Sequence, residues 1–523
     1  MTARTLAQAG LVVAAAFFLS RVLGWIRLVV ISNLFGAGAE LDAYFAAFRL
    51  PDAIFQLVAA GALSSALIPV LSGLFTRDQE QRAWRVVSTV LNLVLLGLAG
   101  LAALVAIFAP QIVPLVTPGF DMVQTELTVR LTRIMLLSPI FLALGAVASS
   151  VLNARGRFAV SAAAPLLYNL AIIFAALLLG PQLGVESLAI GVVTGSLLHL
   201  LVQLPALVRE RFRLSFSIDL GDAAARQVLL LMAPRAIGLG ANQITFMINT
   251  VLATGVGVGA VTAYNVAFTI LQIPLGVIGF PLGVVLLPSM ARAIAAGSVR
   301  EFGQLVVRSL RLLLYVMLFI SAVGIILRRQ VVTLLFDYGF DQRAIDLTAN
   351  TLLLMLAGLA AHSMVVVLAR AFYSGQDTRT PVTVALLSVA VNVSISVSTV
   401  GTLGLTGLAL GIAAGAWFEA TLLGIILWQR TPGAGLENIT RPLLVFAVGA
   451  LLAGVAALIV IRLTEIGLGP DPSKVALLGQ VLLATAAAAI VYAIYSRLLR
   501  VPELPHSLNL VRSLLLRRGR HSE

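Results

Sequence analysis

The segment Ala9–Phe35 reads AGLVVAAAFFLSRVLGWIRLVVISNLF, and only Ser20, Arg21, Arg27, Ser32 and Asn33 in it are polar. As a helix, rising about 1.5 Å per residue, it is long enough to cross a hydrocarbon core of about 30 Å. A surface helix of a soluble protein keeps one polar face, and this stretch has none. Its solvent is therefore lipid. Arg4 followed by the run Ala9–Leu19 has the outline of a secretory leader. No small-x-small site closes that run, however, and Ser20–Phe35 continues it in helical register. It reads as a retained first helix.

The rest of the chain repeats this pattern. Of 523 residues, 60% are hydrophobic and 11% charged, with a mean hydropathy of +1.04. Soluble domains run at about 45–50% apolar and about 25% charged. No polar stretch is long enough to fold separately, so the length implies one membrane domain. The net charge of +13 and pI near 11.1 would suggest nucleic acid in a soluble protein. Here the charge reads as topological, marking cytoplasmic loops. Lys474 is the only lysine, and there is no Cys to form disulfides or thiolate metal sites. His199, His362, His506 and His521 are scattered without ligand spacing. No cofactor is implied, and a metal is left open.

Runs of about 20 apolar residues predict an all-α integral membrane protein. Its fourteen spans fall roughly at 9–35, 42–75, 86–109, 127–152, 158–180, 186–208, 227–255, 261–290, 304–327, 346–371, 381–401, 404–429, 442–463 and 475–497. Loop charge tests the count independently. Alternate loops hold Arg77, Arg82, Arg85; Arg155, Arg157; Arg209, Arg211, Arg213, Arg226; Arg292, Arg300, Arg308, Arg311; Arg370, Arg379; and Arg430, Arg441. With Arg4 and the tail these make 24 of the 35 basic residues. The opposite loops hold only Arg328, Arg329, Arg343, Arg462 and Lys474. A miscounted helix would scramble the alternation, so both termini are expected in the cytoplasm. The tail ends in LNLVRSLLLRRGR, a basic amphipathic segment suited to an anionic leaflet.

An internal repeat organises the spans. GALSSALIPVLSGLF with Pro69 pairs with PLGVVLLPSMARAI with Pro288. SSVLNARGRFAVSAAAPLLYNLAI with Asn169 pairs with ARAFYSGQDTRTPVTVALLSVAVNVSI with Asn392. The step from Pro69 to Pro288 nearly equals the step from Asn169 to Asn392. This predicts two pseudosymmetric six-helix lobes, 1–225 and 226–430, then two further helices in 431–498 and a basic cytoplasmic tail, 499–523. Two lobes of one orientation suggest a cavity that opens alternately to each side. Pro51, Pro69, Pro274, Pro281 and Pro288, with Gly61, Gly276, Gly279 and Gly283, loosen the helices for such motion.

Several charges lie where lipid should exclude them. An Arg at a helix centre costs about 2.5–3.5 kcal/mol on insertion scales and persists where it meets a partner or a wet cavity. Arg21 and Arg27 flank Gly24 in SRVLGWIR; Asp42, Arg49 and Asp52 lie in LDAYFAAFRLPD; Arg235 follows Pro234 in LMAPRAIG. One reading is a cationic cavity for an anionic substrate, lined by Arg21, Arg27, Arg49 and Arg235, with Asp42 orienting an arginine. Guanidinium suits this role because it stays charged and binds phosphate in a bidentate fork. The other reading is snorkelling, or structural pairing with Asp42 and Asp52. Asn242, Gln243, Asn249, Asn265 and Gln272 are either cavity-lining or interhelical partners.

The strings SRVLGWIR, FGAGAELDAYFAAFRLPD, GALSSALIPVL, VLNARGRF, QITFMINTVLA, PLGVIGFPLGVVLLPS and FYSGQDTRTPV together resemble the MurJ (MviN) family, in family order along the first twelve spans. The family lies within the multidrug/oligosaccharidyl-lipid/polysaccharide exporter superfamily. The resemblance implies fourteen helices in two lobes around a cationic cavity, with the last two helices forming a groove for a lipid tail. It implies a flippase carrying lipid II, the undecaprenyl-diphosphate-linked peptidoglycan precursor, from the inner to the outer leaflet of the bacterial cytoplasmic membrane. Membrane potential or a cation gradient would drive it. The family's two first-helix arginines match Arg21 and Arg27, its aspartate matches Asp42, and the basic residue before the proline matches Arg49. Departures follow. Leu28 stands at a usually acidic position, Phe55 and Gln56 at paired basic ones, Ala60 at a glutamate, and Thr269 and Gln272 at an arginine and a glutamate. Arg235 is a candidate replacement for the missing cation. A flippase for another polyprenyl-diphosphate-linked glycan is therefore a second expectation.

Other classes fit less well. A membrane glycosyltransferase needs paired catalytic carboxylates in an accessible loop. Asp121, Glu126, Glu186, Asp337, Asp341 and Asp346 show no such pairing. A drug/cation antiporter would carry acidic residues inside the bundle, and the interior charges here are mostly Arg. No Walker motif is present.

Overall fold

A computed structural model describes residues 3–58, 62–433, 439–468 and 472–505, and side chains within 15–56, 63–232, 243–433, 439–466 and 472–505. The expectations for Arg4, Ala60, Gly61, Arg235, Asn242, His506, His521 and the tail beyond residue 505 fall outside these described residues.

The described residues form helices and connecting turns, with no strand among them. In order they are α1 (Ala3–Phe35), α2 (Ala39–Val58), α3 (Ala62–Thr76), α4 (Glu80–Ile107), α5 (Ala109–Val116), α6 (Met122–Met135), α7 (Ser138–Ala154), α8 (Phe158–Leu183), α9 (Glu186–Leu201), α10 (Leu204–Arg209), α11 (Ala223–Thr254), α12 (Ala260–Pro274), α13 (Phe280–Ala295), α14 (Val299–Phe336), α15 (Gln342–Ala357), α16 (Leu359–Ser374), α17 (Arg379–Leu403), α18 (Leu405–Arg430), α19 (Thr440–Leu468) and α20 (Lys474–Leu498). Eleven helices, or twelve counting the pair α15/α16 bent by 43°, are long and apolar enough to span a membrane among the described residues. The other two expected spans, 42–75 and 227–255, coincide with α2/α3 and with α11, so fourteen is compatible with this architecture.

Backbone breaks fall where Pro removes an N–H donor. Pro274 and Pro281 bracket a π-helical turn, Leu275–Gly279, between α12 and α13. Gly358 ends α15 at the bend into α16 and lies against the backbone of Ala413.

The chain packs as two compact units, Met1–Thr262 with Tyr338–Asp341, and Ala263–Asp337 with Gln342–Glu523. In the first, Leu63, Leu67, Leu71, Trp84, Val87, Leu98, Val147 and Val151 build a buried core from α3, α4 and α7. The long α11, which the repeat assigns to the second lobe, contributes Ala225 and Val228 to this core. In the second unit, Tyr492 stacks on Tyr315 and Phe319, and its hydroxyl donates to the Tyr315 carbonyl at 2.8 Å. Glu503 pairs with Arg311 on α14 at 2.6 Å, so the start of the tail is docked on a helix.

One device occurs in both units. α8 and α9 are joined through Gly184 (φ 55°), and α17 and α18 through Gly404 (φ 57°). These positive φ values suit glycine. Close approach follows at Gly191 and Gly195, where a Cβ would lie 2.9 Å from Ile172 Cα and 2.8 Å from the Tyr168 carbonyl. The counterparts Gly411 and Gly415 follow Gly404 at the same spacing, and a Cβ there would approach the Asn392 and Ser388 carbonyls at 2.7 and 3.1 Å. Small residues let helix backbones meet where lipid supplies no hydrophobic drive between them. Asn169 and Asn392 are both buried in these hairpins.

Candidate functional site

The first unit holds a half-open cavity of about 660 Å³. Its charged and aromatic lining comes from α1 (Phe17, Arg27), α2 (Phe48, Asp52, Phe55), α8 (Phe158, Tyr168) and α9 (His199), and its small polar lining from Ser64, Ser149, Asn153 and Ser161. Size and mixed lining suit a small polar headgroup rather than a bare ion.

Arg27 supplies the guanidinium of this cavity. That group lies over the Tyr168 ring, 5.9 Å from the centroid, and its Nε is buried with no hydrogen-bond partner among the described residues. A buried N–H donor left unmade costs about 1–3 kcal/mol, more when charged. An oxyanion placed here would satisfy it. Helix α1 can present this residue because α8 packs along it, with Asn169 of α8 beside Gly24.

Asp52 lies across the cavity on α2, one residue after Pro51. Its Oδ1 accepts from Gln56 Nε2 at 3.5 Å and its Oδ2 from Gln243 Nε2 at 3.3 Å. Arg49, a turn earlier, donates from Nε to Thr250 Oγ1 at 3.1 Å and sits 5.2 Å from the Phe246 ring centroid. It is outside the cavity lining, as is Arg21, whose side chain is exposed on α1. The fold thus separates residues that the sequence reading grouped together.

Asp42 requires a correction. Among the described residues it pairs with no arginine. Its carboxylate is fully buried, and it accepts hydrogen bonds from the Gly259 and Thr262 backbone N–H groups and from Thr262 Oγ1, each at 2.7 Å. These groups belong to the first turn of α12 and the residue before it, where helix N–H donors have no intrahelical partner. The carboxylate thereby satisfies a helix start, which draws negative charge.

His199 was not anticipated. It reaches the cavity because Gly145 on α7 leaves room for the ring, and its Nδ1 is buried without a partner among the described residues. Its one sequence signal was an ionisable residue within an apolar span. Phe55 lines the cavity and adds an apolar ring to it. Thr269 turns inward on its own helix, its hydroxyl donating to the Asn265 carbonyl at 2.8 Å.

Spanning helices, paired glycine-packed hairpins and a cavity lined by an arginine whose Nε is buried without a partner among the described residues are the construction of a polytopic membrane transporter. Known proteins narrow this class. The family model described as "Lipid II flippase MurJ" matches residues 31–470. The "Lipid II flippase MurJ" of Burkholderia cenocepacia is 32% identical over 434 residues, 81% of this chain and 84% of that protein. The chain belongs to the MurJ lipid II flippase family, a family of transporters and not of enzymes. Its fold matches the solved structure "Lipid II flippase MurJ, inward closed conformation" with a TM-score of 0.78 at 22% identity, over 94% of this chain and 99% of that one. It also matches an inward-facing multidrug resistance MATE family transporter of the MOP superfamily, with a TM-score of 0.68 at 16% identity, over 82% and 99% of the two chains.

Proposed function

We propose that this protein carries lipid II, linked to undecaprenyl diphosphate, from the inner to the outer leaflet of a bacterial cytoplasmic membrane by alternating access, in support of cell-wall synthesis. The observation that carries the reading is Arg27: a guanidinium with a buried, unsatisfied Nε facing a cavity, in a member of a lipid II flippase family. A diphosphate offers the charge-assisted acceptors such a group lacks. Arg21, Arg49 and Arg235 are proposed to meet the substrate along its path, with Asp42 holding the helix start beside it. Both termini lie in the cytoplasm on this reading, which the loop arginines support. The repeat halves 1–225 and 226–430 act as the two lobes, supported by the paired glycine hairpins. Residues 431–498 supply the tail groove, and a cation gradient or the membrane potential supplies the energy.

A second reading is favoured by Phe55. An apolar ring in the cavity, at a position where the family resemblance implies a cation, suits a substrate with a differently charged glycan on the same lipid diphosphate. One experiment separates the two. Purified protein in liposomes is offered lipid II or another polyprenyl-diphosphate glycan, and transfer is followed by protection from an external reagent. Transport of lipid II alone supports the first reading, and transport of the other glycan alone supports the second. If the Arg27→Ala variant transports every such lipid at the wild-type rate, the role of Arg27 is refuted.

A further inference from the structure

Between α10 and α11 the chain forms no helix, and Arg213–Leu220 has no regular secondary structure. Its path is set by α4. Phe212 packs edge-on against Trp84, ring centroids 5.4 Å apart. The Ser215 N–H donates to Ser88 Oγ at 3.0 Å, and Asn92 Nδ2 donates to the Ser215 and Ser217 carbonyls at 2.9 and 3.2 Å. The segment then returns. The Asp219 N–H donates to Thr89 Oγ1 at 3.1 Å, and Asp222 pairs with Arg82 at 2.8 Å. That hydrogen bond from Arg82 holds the Asp222 carboxyl below its usual range. The loop climbs α4 from position 84 to 92, about 12 Å at 1.5 Å per residue, and descends to 82, about 15 Å.

Three polar residues inside an otherwise apolar span exist here to hold a backbone. At its tip, between the two carbonyls held by Asn92, Phe216 is 91% exposed. Leu214, Ile218 and Leu220 are also exposed. One turn beyond Asn92 on the same helix face, Leu96 is exposed too. This stripe of a spanning helix meets acyl chains above the loop, so the loop takes the place of lipid below it. Its base is cationic. Arg209, Arg211, Arg213 and Arg226 are exposed and make no ion pair among the described residues.

We propose that Phe212–Leu220 is an interfacial re-entrant strap seated in the leaflet on this side of the membrane, with Phe216 among the upper acyl segments and Arg211, Arg213 and Arg226 on the phosphates of anionic lipids. Depth supports the assignment. α4 has 28 residues, about 42 Å, against a core of about 30 Å. Twenty residues counted back from Ile107 put the core boundary at Ser88 and Asn92 about 6 Å inside it. Interfacial segments bury their apolar face about 5–10 Å. Deeper placement would strand the outward backbone groups of the loop, which headgroups and water still reach at this level. The flanking charge matches anionic lipid.

The chain has no Cys, so single-thiol variants need no prior substitution. Leu214→Cys, Phe216→Cys, Ile218→Cys and, as the aqueous reference, Arg213→Cys would be spin-labelled in nanodiscs of phosphatidylglycerol and phosphatidylethanolamine. Power saturation then compares collisions with oxygen and with a nickel chelate. The strap predicts that oxygen exceeds chelate at 214, 216 and 218, most strongly at 216, with the order reversed at 213. Chelate access at 216 equal to that at 213 would mean a water-facing loop, and loss of both reagents would mean a protein-covered one. Either overturns the proposal. Replacing phosphatidylglycerol by phosphatidylcholine, or Arg211, Arg213 and Arg226 by Gln, should raise chelate access at 216; no change refutes the phosphate contacts. Should a labelled variant fail to fold, Phe216→Trp in brominated lipid reads the same depth, and quenching no greater than in the wild type is the refuting result.

Discussion

Replacing Asp42 is expected to unseat the start of α12, and the two obvious variants should differ in a defined way. The carboxylate is fully buried and receives three donors at 2.7 Å: Oδ2 takes the Gly259 N–H, and Oδ1 takes the N–H and hydroxyl of Thr262. Asp42→Asn keeps the shape and one acceptor. With its oxygen toward Thr262, its NH2 group must face the Gly259 N–H, so one backbone donor is orphaned at a cost of about 1–3 kcal/mol. Asp42→Ala orphans all three and leaves a small void. Its cost should be about 3–5 kcal/mol, below the simple sum because neighbouring groups relax to recover part of the loss. Hydrogen exchange in detergent reads this directly, since about 1.4 kcal/mol is tenfold in an equilibrium constant. The Gly259 and Thr262 amides should lose protection in both variants, more in Ala than in Asn, while amides of α17 and α18 keep theirs. Unchanged protection of Gly259 and Thr262 in Asp42→Ala would refute the assigned hydrogen bonding.

Further outcomes follow from the same geometry. Gly411→Ala drives a methyl into Ser396 Oγ and the Asn392 carbonyl, and Gly191→Ala drives one against Ile172 Cα. Each should cost about 1–3 kcal/mol by overpacking, read as a lower midpoint of thermal unfolding in detergent. Asp377 accepts from the Thr380 hydroxyl, from the Thr380 backbone N–H and from Arg430, which together hold its carboxyl down to about 2. A carboxyl depressed in the folded state stabilises above its unfolded value near 4 and loses that contribution as pH falls toward 2. Asp377→Asn should therefore lower the unfolding midpoint at pH 6 and narrow the gap to wild type as pH is taken from about 4 toward 2, measured by the same thermal assay.

The spans were legible because lipid imposes one rule on every exposed face, and that rule shows as apolar length. Arg27 was legible for the converse reason, a charge standing inside such a length. The partners of Asp42 were not. Gly259 and Thr262 lie far along the chain from it, and a nearby arginine offered a local explanation that the described contacts of Asp42 do not use. Ser88, Thr89 and Asn92 carried no signal either, since isolated polar residues in a spanning helix serve many ends. Their purpose emerges only with the chain laid across them. His199 needed the gap left by Gly145 on another helix. The repeat was visible at Pro69 and Pro288, but its sharpest mark is geometric: two positive-φ glycines, Gly184 and Gly404, opening matched close approaches.

Arg27 stands at the centre of the proposed mechanism as the group that receives a lipid diphosphate. The direct measurement is lipid II transfer across liposomes carrying wild-type protein, Arg27→Ala or Arg27→Lys, each first shown to be folded by its unfolding midpoint. Wild type should transfer lipid II, Arg27→Ala should reduce the rate to that of protein-free liposomes, and Arg27→Lys should retain part of it, because a point charge replaces a bidentate fork. Equal transfer by wild type and a folded Arg27→Ala protein would contradict that role.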